Sequence, residues 1–93
     1  MRTFDFTSVS ELHELFPELT TVQFETALLF SLGLTKKEIA STRGVSYPVV
    51  RDTLQDIKNK LDMFSLSHLI SLFHIRLVLF ALHQSILTYT RKN

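Results

Sequence analysis

Arg51 and Gln55 lie one helical turn apart in a segment whose apolar positions, Val50, Leu54, Ile57 and Leu61, are spaced by four, three and four residues. That spacing is the buried stripe of an α-helix. It turns Tyr47, Arg51, Asp52, Gln55 and then Lys58 or Asn59 to the opposite side. A guanidinium can make two hydrogen bonds to a guanine edge and a carboxamide two to an adenine edge, each pair worth about 1–3 kcal/mol of discrimination in the major groove of duplex DNA. Asp52 can accept from a cytosine amino group, or be repelled by phosphate. Lys36, Lys37, Lys58 and Lys60, with Thr35, Ser46 and Tyr47, have the charge and hydroxyls for backbone contacts, which position a protein on DNA without reading sequence. The plainer reading makes Arg51, Asp52 and the lysines ordinary solvated surface residues.

Other chemistries find little support. No nucleophile–base arrangement, phosphate-binding glycine loop or catalytic carboxylate pair is present, so an enzyme is not expected. Cysteine is absent, and His13, His68, His74 and His83 include no i, i+4 pair, so neither a metal site nor a cofactor is expected. The net charge is only +1, but it is unevenly spread. Up to residue 32, Arg2 stands against Asp5, Glu11, Glu14, Glu18 and Glu25. From 33 to 60, Lys36, Lys37, Arg43, Arg51, Lys58 and Lys60 outnumber Glu38, Asp52 and Asp56. Positive charge thus gathers where the DNA-reading surface would lie.

The elements that must position these residues are punctuated by local signals. Ser10 to Phe16 predicts a short helix, interrupted at Pro17. Thr20-Thr21-Val22-Gln23 and Thr35-Lys36-Lys37-Glu38 both have the form of a capping box. The first opens a helix running to about Leu32, followed by Gly33; the second opens one running to about Arg43, ended by Gly44. Ser46 caps a third helix, 47–61, with Pro48 in its first turn, where its missing N–H does no harm. Two helices joined by the tight turn Gly44-Val45-Ser46 form a helix-turn-helix. Ser65 to Thr90 then contains one formal charge, Arg76, and two apolar seams. Leu66, Ile70, Phe73, Leu77, Phe80, Gln84 and Leu87 form one; Leu72, Ile75, Leu79, Leu82, Ile86 and Tyr89 form the other. Together they exceed what one helix face needs, so this helix must be covered on two sides. The expected fold is all-α, a single domain over 1–93, with an N-terminal segment 1–18, a core 19–62 and a long apolar helix 65–90.

The stretch Leu19 to Leu61 resembles the DNA-binding domain of the LuxR/GerE family of transcription regulators. The resemblance rests on Leu19-Thr20, Glu25, the run Gly33-Leu34-Thr35-Lys36-Lys37-Glu38-Ile39-Ala40, Gly44-Val45-Ser46 at the turn, Val50-Arg51-Asp52-Thr53-Leu54, and Ile57, Lys60 and Leu61. It covers about half the chain and extends weakly through Ser65 to Leu72. It implies a domain of about four helices whose third enters the major groove, with Arg51, Asp52 and Gln55 at the base-reading positions and a fourth helix joining two subunits. It also implies bacterial-type transcription regulation. The chain departs from the family pattern at Arg43, where an apolar residue is usual, at Pro48 and Val49, which replace polar residues, and at Asp52 and Asp56, which add negative charge.

Phe24, Leu28 and Leu32 add a second apolar stripe to the first of the capped helices. Either the N-terminal segment around Leu12, Leu15 and Phe16 or the C-terminal helix is expected to cover it. With 45% apolar residues in 93, a partner chain is the natural source of further burial. The expectation is a homodimer through Leu66, Ile70, Phe73, Leu77, Phe80 and Leu87. Leu69 to Tyr89 is long enough to cross a bilayer, but Arg76 would cost about 2.5–3.5 kcal/mol near the middle, and His74, His83 and Gln84 add to that. Protein contact is expected instead of a membrane. Met1 to Phe6 shows no signal-peptide core, which makes the cytoplasm the expected compartment. Two functions therefore stand open. One is a dimeric regulator reading double-stranded DNA. The other is a protein-interaction module of the same fold that binds or heterodimerises with another regulator.

Overall fold

The computed structural model describes the backbone of residues 6–92 and the side-chain surroundings of residues 10–87. Five helices and no strand occur among the described residues: α1 (Phe6–His13), α2 (Thr21–Ser31), α3 (Lys36–Arg43), α4 (Tyr47–Lys60) and α5 (Leu66–Lys92). The fold is all-α.

Each capping box forms as its spacing requires. The Thr20 hydroxyl accepts from Gln23 N–H at 3.1 Å while the Gln23 side chain accepts from Thr20 N–H at 3.0 Å. Thr35 and Glu38 repeat the exchange at the start of α3, at 3.1 and 2.9 Å. The Thr35 N–H bond, followed by the hydroxyl bond, holds the Glu38 carboxyl below its usual range, so this box weakens as pH falls into the carboxylate range. Thr35→Ala is expected to lower the unfolding free energy by about 1 kcal/mol in urea titration, the usual loss for an N-cap hydroxyl.

The helix ends are equally local. Gly44 lies in the left-handed region at φ 70°, and beyond it Val45 N–H reaches back to the Ala40 carbonyl at 3.0 Å. This leaves only three residues between α3 and α4, so the two must pack closely. After α4 it is Asp62, not a glycine, that turns left-handed (φ 54°), with Met63 N–H bonded to the Lys58 carbonyl at 2.9 Å.

The first helix lies earlier than Ser10 to Phe16. It spans Phe6–His13, after which i→i−3 bonds from Glu14, Leu15 and Phe16 tighten the chain out of the α-helix before Pro17 is reached. The tightening swings Phe16 into the core. His13 Nε2 then bonds the Leu19 carbonyl at 2.7 Å and its ring stacks on Phe24 at 4.9 Å, closing the segment over α2.

The core joins Phe16 and Leu19 to Phe24, Ala27 and Leu28 of α2, Ile39 and Ala40 of α3, Val50, Leu54 and Ile57 of α4, and Leu69 and Phe73 of α5, all buried. The stripe expected on α4 is thus the buried one. The extra stripe on α2 is covered by both candidates at once: Phe16 and Phe73 lie 5.9 and 5.8 Å from Phe24. Leu32 alone of that stripe remains exposed.

The first seam of α5, the set expected to join two subunits, faces inward onto its own chain. Phe73 is fully buried against its own chain, Leu66 and Leu77 pack on the same core, and Ile70 and Phe80 are half-buried. Of that seam only Gln84 and Leu87 are exposed. The reason is Phe16 and Phe24, whose rings give Phe73 an aromatic seat within the monomer. The second seam points outward, at Ile75, Leu79, Leu82 and Ile86, although Leu72 packs partly on the core; the side chain of Tyr89 lies outside the described residues.

Arg76, the one formal charge between Leu66 and Leu87, also points inward. Its guanidinium donates to the Leu15 carbonyl at 2.7 Å and to both Glu18 oxygens at 3.1 Å, and lies 4.6 Å from the centre of the Phe16 ring. It ties the N-terminal segment to the helix. Beyond Phe80 every residue from Ala81 to Leu87 is exposed. A 27-residue helix is about 40 Å long, and the part that overshoots the body draws the molecule out to 52 × 34 × 20 Å. Its radius of gyration, 14.7 Å, exceeds the roughly 12 Å of a compact chain this long.

Candidate nucleic-acid interface

Burying Val50, Leu54 and Ile57 leaves Arg51, Asp52, Gln55, Asp56 and Asn59 exposed on the far side of α4. Periodicity alone places them. The side chains then pair along the helix. Arg51 Nε donates to Asp52 Oδ1 at 3.1 Å, and Gln55 Nε2 donates to Asn59 Oδ1 at 3.0 Å. Both side chains of the ion pair are more than half exposed, so it is worth under about 1 kcal/mol and opens readily. Asp52 sits beside Arg51 as an exposed acceptor for its Nε–H. The bond uses Nε, leaving the two terminal nitrogens in position to donate outward.

The backbone-contact candidates fall into two groups. Thr35, Lys36, Lys37 and Tyr47 line one open depression, where the N-terminus of α3 meets that of α4. Residues more than ten apart in sequence converge there because the Gly44 turn folds α4 back across α3. Ser46 lies at the same end of α4, its hydroxyl accepting from Val49 N–H at 3.4 Å. Thr35 and Ser46 spend an oxygen lone pair on their own helices, yet each hydroxyl keeps a proton to donate. The second group is at the other end of α4, about 20 Å away along the axis. There Lys58 is half-buried, and Lys60 Nζ donates to Gln23 Oε1 at 2.9 Å, the same oxygen that closes the first capping box. An ammonium has three donors, so Lys60 retains two.

Arg43 does not join either group. Its guanidinium donates to Glu25 Oε2 at 2.9 Å across the contact of α2 with α3, with the two side chains only 17% and 31% exposed. A position where the resemblance calls for an apolar side chain thus holds a partly buried ion pair. The signal available in the sequence was the unusual charge at Arg43, but the packing of α2 on α3 that brings Glu25 within reach of it was not legible there. Val49 and Val45, both substantially exposed, were not among the expected contact residues. They place apolar surface beside Tyr47 at the start of α4, suited to contact with thymine methyl groups.

Comparison with known protein families, with curated proteins and with solved structures finds no match to this chain.

Proposed function

We propose that the protein is a helix-turn-helix transcription regulator that binds double-stranded DNA, with α3 and the Gly44 turn presenting α4 to the major groove. Its sequence pattern over Leu19 to Leu61 resembles the LuxR/GerE family, and on this reading it works as a homodimer in the bacterial cytoplasm. The observation that carries the proposal is the juxtaposition on α4. Arg51 and Gln55 are exposed on one face, and Thr35, Lys36, Lys37 and Tyr47 gather at the end from which that face would enter a groove. Arg51 reads guanine and Gln55 reads adenine, with Asp52 beside Arg51 as an acceptor. Lys58 and Lys60 meet phosphate at the far end of the helix.

The test is fluorescence anisotropy of labelled duplexes from the protein's own locus, at two salt concentrations. Binding should weaken with salt by about 0.9 logarithmic units per tenfold change for each phosphate contacted. Arg51→Ala should lower affinity for the preferred duplex by roughly 5- to 150-fold, the equivalent of 1–3 kcal/mol, and narrow its margin over other sequences. Unchanged binding by the variant would remove Arg51 from the reading role.

A second reading is favoured by a specific observation, the uncovered apolar face of α5 beside a reading helix that carries Asp56. On that reading the protein is an interaction module that heterodimerises with another regulator. Its expected signature is no DNA binding at low salt by a folded chain.

A further inference from the structure

The outer face of α5 has no cover in the monomer. Ile75, Val78, Leu79, Leu82 and Ile86 are each 55–63% exposed and recur mostly at steps of three and four, opposite the buried Leu69 and Phe73 and the half-buried Leu77. His74 joins Ile75, Val78 and Leu79 around an open depression with an almost wholly apolar lining. At the base of the helix Phe64 is 90% exposed, with its ring edge-on to His68 at 6.4 Å. His68, Ile75 and Leu82 are seven residues apart and share one side of the helix. The apolar strip therefore runs from Ile75 to Ile86, with His68 and the exposed Phe64 below it at the base of the helix.

We propose that this strip is the contact of a homodimer in which two α5 helices lie antiparallel, the tip of each covering the base of the other. The proposal rests on the dimeric half of the function above and not on whether α4 reads DNA. Three observations select a second copy of this chain as the occupant. The exposures of these aliphatic side chains and Phe64 amount to on the order of 600 Å² of apolar surface, the top of the usual range for the largest patch on a monomer and approaching the ~800 Å² that each partner gives to a stable interface. It has no charged side chain, since Arg76 faces inward, so it offers a charged partner nothing to recognise. Its three-and-four spacing is self-complementary, as a two-fold contact requires.

The direction follows from the tip. Ala81 to Leu87 stand about 10 Å clear of the body and are exposed all round. Parallel helices would set tip against tip, covering one side of each and leaving the two Phe64 rings at the opposite end. Antiparallel helices lay the tip along the partner's base, where Phe64 and His68 flank it, and they oppose the two helix dipoles. Centring the pair near residue 77 sets Ile75 against the partner's Leu79 and His68 against the partner's Ile86. A bilayer is the poorer occupant. Leu66–Leu87 is long and apolar enough to cross one, with a mean hydropathy of 1.6, but insertion would strip Arg76 from Leu15 and Glu18.

The chain has no cysteine, so single introduced thiols report on geometry cleanly. In the full chain, His68→Cys mixed with Ile86→Cys should give a disulfide-linked heterodimer under mild oxidation. Ile86→Cys alone should link far less. Efficient linking of Ile86→Cys alone would overturn the antiparallel arrangement. In sedimentation the unmodified protein should run as a dimer, and Leu79→Asp should raise the dimer dissociation constant at least 100-fold while leaving helix content unchanged. A monomer at tens of micromolar, or flotation with phosphatidylcholine–phosphatidylglycerol vesicles, would overturn the proposal. A linked dimer that fails to bind DNA would leave it standing and remove the DNA-reading function instead.

Discussion

Phe73→Ala is expected to lower the unfolding free energy by about 3–5 kcal/mol, the range for a fully buried aromatic truncated to methyl. Small domains have only about 5–15 kcal/mol in total, so a sizeable unfolded fraction should appear at 37 °C. The ring is completely buried and stacks on Phe16 at 4.0 Å, with Phe24 5.8 Å away. These three rings come from the segment before α2, from α2 and from α5. Their cluster is where the two ends of the chain are joined to its middle. Urea unfolding followed by circular dichroism should show a lower midpoint with an unchanged slope. If Phe73→Ala instead dissociated a dimer and left the protomer as stable as before, Phe73 would belong to a subunit contact after all. Leu79→Asp should give the opposite pattern, because Leu79 is 60% exposed.

The contrast between Phe73 and Leu79 marks where the sequence could and could not be read. Thr20–Gln23, Thr35–Glu38 and the stop at Gly44 were legible because each involves residues within about five positions of one another. The outward set on α4 was legible for a similar reason, since Val50, Leu54 and Ile57 fix the rotation of a single helix. On α5 periodicity showed two seams of equal quality and so could not say which one faced the body. That choice was made elsewhere, by Phe16 and Phe24. A clue was present in Arg76, the one cation between Ser65 and Thr90 of a chain whose acidic residues cluster near the N-terminus. Its partner Glu18 lies 58 residues away, and spacing carries no information over that distance. The bonds from Arg51 to Asp52 and from Arg43 to Glu25 were hidden differently. They depend on rotamers and on the packing of α2 against α3, not on helical phase.

Arg76→Ala is the second large effect, an expected loss of about 2–3 kcal/mol. Most of it comes from the 2.7 Å charge-assisted bond to the Leu15 carbonyl, which would lose its partner in a half-buried site. Removing the guanidinium from the face of Phe16 adds to this. The bidentate pair with Glu18 contributes under about 1 kcal/mol, because that carboxylate is 39% exposed and well screened. Lysine cannot donate to Leu15 and both Glu18 oxygens in one plane, so Arg76→Lys should recover only part of the loss. The pair also sets an acid dependence. The Arg76 side-chain bond holds the Glu18 carboxyl below its ordinary value of 4.5, so the folded state binds this proton less readily than the unfolded chain. That contribution is complete above about pH 4.5 and is lost as pH falls through the lowered value. Thermal unfolding of wild type and Arg76→Ala at pH 7 and pH 3 checks both claims. The gap between them should be widest at pH 7 and should narrow, without closing, at pH 3, because the bond to Leu15 does not titrate. A gap independent of pH would mean that Glu18 adds nothing to the clamp. No gap at either pH would mean that Arg76 does not hold the N-terminal segment.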